Sequence, residues 1–185
     1  MLTRTMATRT ERAIFLINGT QGAGKSTVAR LLAGRFERGA CIDADDLLRL
    51  VVSGAAPLEP PLSFEAERQL RLRARVASQL ADTFFEAGFT VAIAEILVGR
   101  LDHFRADIKS RPLMLVNLAP SLDIVKRRNE ERPYKNVFEP WSPILDRAMR
   151  ETMNGIGLWL DNSNQTSEDT VDEILQRVWK EGALE

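Results

Sequence analysis

The 185-residue sequence has very little cysteine and no long uninterrupted apolar run. Its single cysteine, Cys41, cannot form a disulfide within the chain, which argues against a disulfide-stabilised extracellular scaffold. The longest apolar segment, residues 90–99 (TVAIAEILVG), is interrupted by Glu95 and is shorter than the roughly 20 residues that a bilayer requires. We therefore predict no membrane span and a cytoplasmic location.

The sequence also lacks an excess of charge of either sign. It contains 25 Lys and Arg against 26 Asp and Glu, for a formal net charge of -1. Nucleic-acid binding that does not depend on sequence needs a basic field, so this balance disfavours a nucleic-acid partner and favours a small-molecule one. The basic stretch 1–11 lacks an apolar core and is predicted to be a disordered leader, with one domain over residues 12–185.

Short apolar runs alternate with helical patterns along the chain. The runs AIFLING, ACID, FTVAIAEILV, LMLVNLA and GLWLD predict five strands, and the intervening helices predict parallel crossovers. The expected fold is therefore α/β, a five-stranded parallel sheet flanked by helices on both faces. In such a sheet, ligands bind at the carboxyl ends of the strands.

Three helices are predicted in the first half of the chain. One runs from Lys25 to Arg38, and a short one in DDLLRLVVSG is closed by Gly54. A long helix is capped by Ser63 and extends to about Ala87, with Gly88 beyond its end. Its predicted buried stripe contains Leu72, Val76, Leu80 and Phe84.

A glycine-rich stretch follows the first predicted strand. Gly19, four further residues and then Gly24, Lys25 and Ser26 match the phosphate-loop pattern in its strand-loop-helix setting. Lys25 would reach the β- and γ-phosphates, and the Ser26 hydroxyl would ligate Mg²⁺. A turn that binds nothing is the alternative, but a lysine at a helix start is disfavoured unless an anion accompanies it. The predicted nucleotide-binding residues are Gly19, Gln21, Gly22, Ala23, Gly24, Lys25, Ser26 and Thr27.

Carboxylates are predicted to face this loop from the second strand. Asp43, Asp45 and Asp46 come directly after that strand, where an acceptor above the phosphates would lie. We predict that Asp45 accepts the proton of an attacking hydroxyl. Another of the three would cap the following helix, and we assign this role to Asp43 or Asp46.

A second acidic position, Glu95, interrupts the third strand. A lone carboxylate at the end of a buried strand is costly unless it is paired or hydrogen-bonded, so we predict that Glu95 faces the cleft and contacts substrate. The alternative is a solvent-facing residue at the strand end.

Arginines follow the fourth predicted strand in DIVKRRNEERPYKN. Arg128 and Arg132 are four residues apart, so on a helix they share a face and would close over the transferring phosphate as a lid at about residues 126–140. The alternative is an exposed helix in which these arginines pair with Glu130 and Glu131.

Together these motifs resemble the chloramphenicol phosphotransferase-like branch of the small P-loop kinases. The resemblance covers most of the chain from Arg12 and is tight only at the motifs. It implies a P-loop nucleoside triphosphate hydrolase-like fold, ATP and Mg²⁺, a small-molecule hydroxyl as acceptor, and a monomer or homodimer. It also matches Asp45 to the family's base and Arg128 and Arg132 to its lid arginines.

One departure from the family pattern concerns the third strand. Where relatives often carry an aspartate, this chain has Ala94, so support of magnesium by that strand is in doubt. This departure favours the alternative of a nucleotide-binding regulatory module without catalysis. A nucleoside or nucleotide kinase also stays open as an alternative, because the acceptor-binding region, about residues 51–75, matches no known pattern.

Overall fold

The computed structural model describes residues 11–59, 61–131 and 141–185. Within these ranges the strands are β1 Ile14–Gly19, β2 Gly39–Asp43, β3 Thr90–Ala94, β4 Leu113–Leu118, β5 Leu158–Leu160 and β6 Ala183–Leu184. The helices are α1 Lys25–Ala33, α2 Ala44–Leu48, α3 Phe64–Glu86, α4 Leu101–Asp107, α5 Leu122–Glu130, α6 Trp141–Thr152 and α7 Ser167–Glu181.

Five strands form a parallel sheet in the order β2-β3-β1-β4-β5, which confirms the predicted architecture. The two-residue β6 pairs antiparallel with β4 and adds a sixth strand that the sequence analysis did not predict. Such a short segment leaves no period-2 pattern in the sequence, so only its pairing identifies it as a strand.

Apolar layers cover both faces of the sheet. On one face, Phe15 and Ile17 of β1 pack with α1 and α7; on the other, Ile14 and Leu16 pack with α3, α4 and α6. Because successive side chains of a strand point to opposite faces, a strand that is buried on both sides must be apolar throughout. This explains the continuous apolar run that predicted β1. None of the helices in the described ranges is both long and apolar enough to cross a membrane.

The start and end of α3 follow the prediction. The Ser63 Oγ accepts a hydrogen bond from the Ala66 amide at 3.1 Å, and the helix ends at Glu86 before Gly88, whose φ is 93°. The predicted buried stripe is wrong. Leu72 is 55% exposed, Leu80 and Phe84 also face solvent, and Val76 is half-buried. The residues buried instead are Ala66, Leu70, Arg73, Ala74, Ala77, Ser78 and Ala81.

Small residues explain this choice of face. Alanines on the inner face of α3 pack among the buried side chains beside the sheet, including Ile93 and Phe104. The alanine face and the leucine face have the same helical spacing, so periodicity alone cannot distinguish them. The packing of the whole domain decides which face is buried.

The helix predicted in DDLLRLVVSG ends early, because α2 stops at Leu48. Beyond it the chain crosses the surface of α3, where Gln69 donates to the Gly54 carbonyl at 2.8 Å and accepts from the Ala56 amide at 2.9 Å. These bonds hold the segment in an extended path, and Val52 within it is 96% exposed. No apolar face is buried there that would stabilise a longer helix.

The parallel register brings the chemically important positions to one edge of the sheet. Ala94 at the end of β3 lies beside Ile17 of β1 and Asp43 of β2, and Gly19 lies beside Leu118 of β4. The loop after β1, the aspartates after β2 and Glu95 after β3 therefore meet at the carboxyl edge, as the sequence predicts.

Candidate active site

The loop between β1 and α1 forms a glycine cradle. Gly22 and Gly24 have φ values of 87° and 96°, in the left-handed region that side chains other than glycine's rarely adopt. A Cβ atom on Gly22 would lie 2.9 Å from the Asn129 Oδ1 and from the Val125 carbonyl oxygen. One on Gly24 would meet only the Asn162 Nδ2, at 3.8 Å. The loop is thus packed tightly behind Gly22 and open beside Gly24, which leaves room for a phosphate.

The N-terminus of α1 completes this cradle. Gly24 is the N-cap and supplies no side-chain hydrogen bond, so the first amides of the helix are left for a ligand. Ser26 and Thr27 are exposed in the first turn. The Lys25 Nζ folds back over the loop and donates to the Thr20 carbonyl at 2.9 Å. Backbone amides, a helix start and an ammonium group therefore converge, an arrangement that suits an anion.

Two neighbouring elements hold the loop from behind. The Asn162 Nδ2, in the segment between β5 and α7, donates to the Ala23 carbonyl at 3.0 Å. Asn129 of α5 donates from its Nδ2 to the Gln21 carbonyl at 3.4 Å. The sequence analysis assigned neither asparagine to the site, because both are distant in sequence and lie outside any motif.

The predicted lid arginine Arg128 lies in the last turn of α5. Its Nη2 donates to the Asn162 carbonyl at 2.9 Å. Since Asn162 also bonds the Ala23 carbonyl, it links Arg128 to the phosphate loop. Burial, together with the neighbouring Arg127 cation, lowers the pKa of the Arg128 guanidinium. Arg132 and most of the predicted lid segment 126–140 lie outside the described residues.

The three aspartates after β2 have separate surroundings. The Asp43 Oδ1 accepts the Asp45 amide at 3.0 Å and caps α2, as one of the two predicted alternatives requires. The Asp46 Oδ1 accepts from the Arg49 Nη1 at 2.5 Å on the surface. The Asp45 side chain stays 76% exposed, with its Oδ1 3.9 Å from the Arg73 Nη1. Asp45 thus faces the edge of the sheet without serving as a cap.

Glu95 is buried immediately after β3, so the solvent-facing alternative is wrong. It is 3% exposed, and its Oε1 accepts hydrogen bonds from the Arg73 Nη2 and the Ile96 amide, each at 2.7 Å. Arg73 is itself only 7% exposed. Burial raises the pKa of the Glu95 carboxyl, although the Arg73 and Arg100 cations oppose this shift. The result is a buried ion pair beside Asp45.

A buried amide fixes the backbone that follows Glu95. The Asn18 Oδ1 at the end of β1 accepts the Leu97 amide at 2.9 Å, and its Nδ2 donates to the Asn117 Oδ1 at 2.7 Å. Farther along this segment, the Arg100 Nη2 donates to the Ile96 carbonyl at 2.7 Å. Burial lowers the pKa of the Arg100 guanidinium. Arg100 thus stands beside the Glu95 and Arg73 pair.

Sequence reasoning missed Arg73 and Arg100. The carboxylate of Glu65 in the first turn of α3 contacts the exposed Arg68 at 3.0 Å and is not the partner of Arg73. The available signal for Arg73 was its position among Leu70, Ala74 and Ala77 on one helix face. An arginine on an apolar face needs a buried carboxylate, and Glu95 is that carboxylate.

Comparisons with known proteins agree with this geometry. The model of the AAA domain family matches residues 15–140, more than half of the chain. A search of curated proteins found no match. Among solved structures, shikimate kinase from Acinetobacter baumannii, in complex with shikimate, is 21% identical with a TM-score of 0.63, and the alignment covers 90% of this chain and 93% of that one.

Two further solved structures have the same architecture. The APS kinase of Mycobacterium tuberculosis, in complex with AMPPNP and APS, is 17% identical with a TM-score of 0.64 over 91% of this chain and 98% of that one. A tunicamycin resistance protein from Deinococcus radiodurans is 16% identical with a TM-score of 0.65 over 95% and 100%. These likenesses establish an α/β P-loop NTPase-like fold. The family match adds that the chain belongs to the AAA domain family.

Proposed function

We propose that this protein is a cytoplasmic, ATP-dependent phosphotransferase that moves the γ-phosphate of ATP to a hydroxyl of a small molecule. The observation that carries the proposal is the meeting of an open glycine cradle with the exposed carboxylate of Asp45 at one edge of the sheet. A phosphate donor on the cradle and an acceptor beside Asp45 would approach one another there.

The cradle would hold the triphosphate through its backbone amides and Lys25. The Lys25 Nζ donates to the Thr20 carbonyl, and on nucleotide binding it would exchange this contact for phosphate oxygens. The Ser26 hydroxyl, exposed in the first turn of α1, is the side chain of the loop that fits Mg²⁺. When bound, this ion would neutralise charge on the phosphate oxygens.

Asp45 would act as the general base. The acceptor oxygen bonds the γ-phosphorus, its proton passes to the Asp45 carboxylate, and the bond from phosphorus to the bridging oxygen breaks to release ADP. The exposure of Asp45 supports this role, because it leaves the carboxylate open to an incoming hydroxyl. Asp43 supports it indirectly by taking the capping role at α2.

Arg128 and Arg132 remain our candidates for closing over the transferring phosphate. For Arg128 this role is supported by its hydrogen bond to Asn162, which in turn bonds Ala23 of the phosphate loop. In a closed state its guanidinium would leave the Asn162 carbonyl for the phosphate, and desolvation there would strengthen the contact.

The narrower likeness to chloramphenicol phosphotransferases makes an antibiotic one candidate acceptor. The similarity in fold to a tunicamycin resistance protein supports that candidate, and the similarity to a kinase solved with shikimate supports a hydroxylated metabolite equally well. A nucleoside or nucleotide acceptor is the third candidate. We expect the protein to act as a monomer or homodimer.

A nucleotide-binding regulatory module is the alternative function, and Ala94 favours it. Ala94 is 2% exposed at the end of β3, so this position offers no carboxylate to the metal. Such a module would bind Mg-ATP and transfer no phosphate. The exposed base and the buried polar groups beside it favour the enzyme.

The two functions are separated by measuring ATP binding and phosphate transfer on the same preparation. Calorimetry would give the ATP affinity, and ³¹P NMR would detect phosphate esters formed across a panel of antibiotics, sugars, nucleosides and hydroxy acids. A phosphotransferase forms one ester in excess of the others, and Lys25→Ala abolishes it while the fold is retained. ATP binding without any ester across the panel would favour the regulatory module.

A further inference from the structure

Beside Asp45, three buried polar atoms lack a hydrogen-bond partner among the described residues. They are the Glu95 Oε2, the Arg73 Nε and the Arg100 Nε. Buried polar atoms are nearly always paired, so each unpaired one is costly. Glu95 and Arg73 are each more than nine-tenths buried, so these atoms form a built polar cluster rather than a solvated surface.

One guanidinium connects this polar cluster to the predicted base. The Arg73 Nη2 bonds the Glu95 Oε1 at 2.7 Å, and the Arg73 Nη1 lies 3.9 Å from the Asp45 Oδ1. The guanidinium is a rigid planar fork that bonds Glu95 through one arm and lies within ion-pair distance of Asp45 through the other. A molecule that reaches Asp45 is therefore separated from Glu95 by this one guanidinium.

We propose that this polar cluster is an acceptor subsite for a second hydroxyl, and that the substrate is an uncharged diol or polyol. One hydroxyl would give its proton to Asp45 and receive the phosphate. Another would donate to the Glu95 Oε2 and accept from the Arg73 Nε or the Arg100 Nε. This inference rests on the proposed phosphotransferase function and names the substrate class of the same site.

The set of unpaired atoms selects a hydroxyl over other groups. It contains one acceptor and two donors, and a hydroxyl is the small neutral group that both donates and accepts. A carboxylate or phosphate in this place would set its oxygens against the Glu95 oxygen. An ammonium group would lie against two guanidinium cations. Either charged group would also unbalance a cluster in which the Arg73 and Arg100 cations face the Glu95 and Asp45 carboxylates.

The test uses probes that differ in hydroxyl count and charge. Saturation-transfer NMR would measure binding of glycerol and myo-inositol, of 1-propanol with its single hydroxyl, and of glycolate with its negative charge, each in the presence of a non-hydrolysable ATP analogue. We expect the two polyols to bind and 1-propanol and glycolate to bind at least about tenfold more weakly, since tenfold corresponds to one lost polar contact of about 1.4 kcal/mol.

Variants identify the subsite. Glu95→Gln should weaken polyol binding about tenfold and leave the affinity for the ATP analogue unchanged, and Arg73→Lys, which removes the Nε and the fork, should do the same. Glu86→Gln, the same change at the exposed end of α3, is the matched control and should change neither affinity. Retained nucleotide binding confirms that each variant is folded.

Two outcomes would overturn the subsite. One is polyol binding no tighter than that of 1-propanol, and the other is tight glycolate binding that Glu95→Gln leaves unchanged or strengthens. Failure of the proposed function has a different signature. If polyols bind as expected and the variants respond, but ATP gives no phosphate ester with any of them, the subsite stands and the transfer reaction is refuted.

Discussion

Arg73 and Glu95 form an ion pair that is almost completely removed from solvent, with 2.7 Å between the Nη2 and Oε1 atoms. One comes from the middle of α3 and the other directly follows β3, so the pair ties the helix to the carboxyl edge of the sheet. Removing one member of such a pair leaves an uncompensated charge, which costs more than the pair itself contributes.

Substitution of Arg73 alone should cost more stability than substitution of both members of the pair. Arg73→Met strands the Glu95 carboxylate, and we expect it to lower the free energy of unfolding by about 3–5 kcal/mol at pH 7. The double variant Arg73→Met with Glu95→Gln should recover part of that loss, because the Glu95 carboxylate is no longer left without its partner. Urea unfolding would measure both. Equal destabilisation by the single and double variants would contradict the account of this pair.

The free energy of unfolding should depend on pH in part through the raised pKa of Glu95. Its carboxyl is faced by Arg73 from α3, Arg100 from the segment after β3 and Asp45 from α2, and burial prevails over the cations and raises its pKa. The folded state therefore takes up a proton at a higher pH than the unfolded state does. Its contribution to stability is fully present below the ordinary pKa of glutamate and is lost as the pH rises through the folded value.

Comparison with Glu95→Gln isolates this contribution from all the other carboxyls. As the pH falls toward the ordinary glutamate pKa, the wild type should gain stability relative to the variant, and the difference should become constant below it. Urea unfolding of both proteins at a series of pH values would measure it. A difference that stays constant at all pH values would mean that Glu95 has an unshifted pKa.

The cradle glycines should respond to alanine according to the space around them. Gly22→Ala meets left-handed strain and two oxygens at 2.9 Å, whereas Gly155→Ala meets strain alone, since its φ is 76° and nothing lies within 4 Å. Strain costs about 1–2 kcal/mol at either position. Gly22→Ala should cost more than this and should also weaken ATP binding. Thermal unfolding and calorimetry would measure both, and equal effects at the two positions would contradict the close packing behind Gly22.

The corrected face of α3 can be tested with two neighbouring leucines. Leu70 is 6% exposed and Leu72 is 55% exposed. Leu70→Ala should lower the free energy of unfolding by about 2–5 kcal/mol because it leaves a cavity, and Leu72→Ala should change it by about 0.5 kcal/mol. The originally predicted stripe requires the opposite order. Chemical denaturation of both variants would decide between the two faces.

Most of the features that were predicted correctly depend on residues that are close together in the sequence. The phosphate loop, the Ser63 cap and the strand ends are set by neighbouring residues, so a motif or an apolar run identifies them. The parallel order then brings Asp45 and Glu95 to one edge without any knowledge of side-chain contacts.

The remainder depends on contacts between distant segments. Arg73 and Glu95 are 22 positions apart, and the hydrogen bond from Asn162 to the Ala23 carbonyl joins residues 139 positions apart. Neither bond leaves a periodic pattern in the sequence. The buried face of α3 was predicted wrongly for the same reason, because the packing of the domain buries the alanines of this helix beside the sheet and leaves its larger apolar residues at the surface.

The role of Asp45 tests the central claim most directly. Transfer of labelled γ-phosphate from ATP to the preferred acceptor would be compared for the wild type, Asp45→Asn and the neighbouring Asp46→Asn, with ATP affinity measured for each. Asp45→Asn should lower the transfer rate by about 10²–10⁴-fold at unchanged ATP affinity, the contribution expected of a positioned base, and Asp46→Asn should match the wild type. Full transfer by Asp45→Asn would contradict the proposed chemistry.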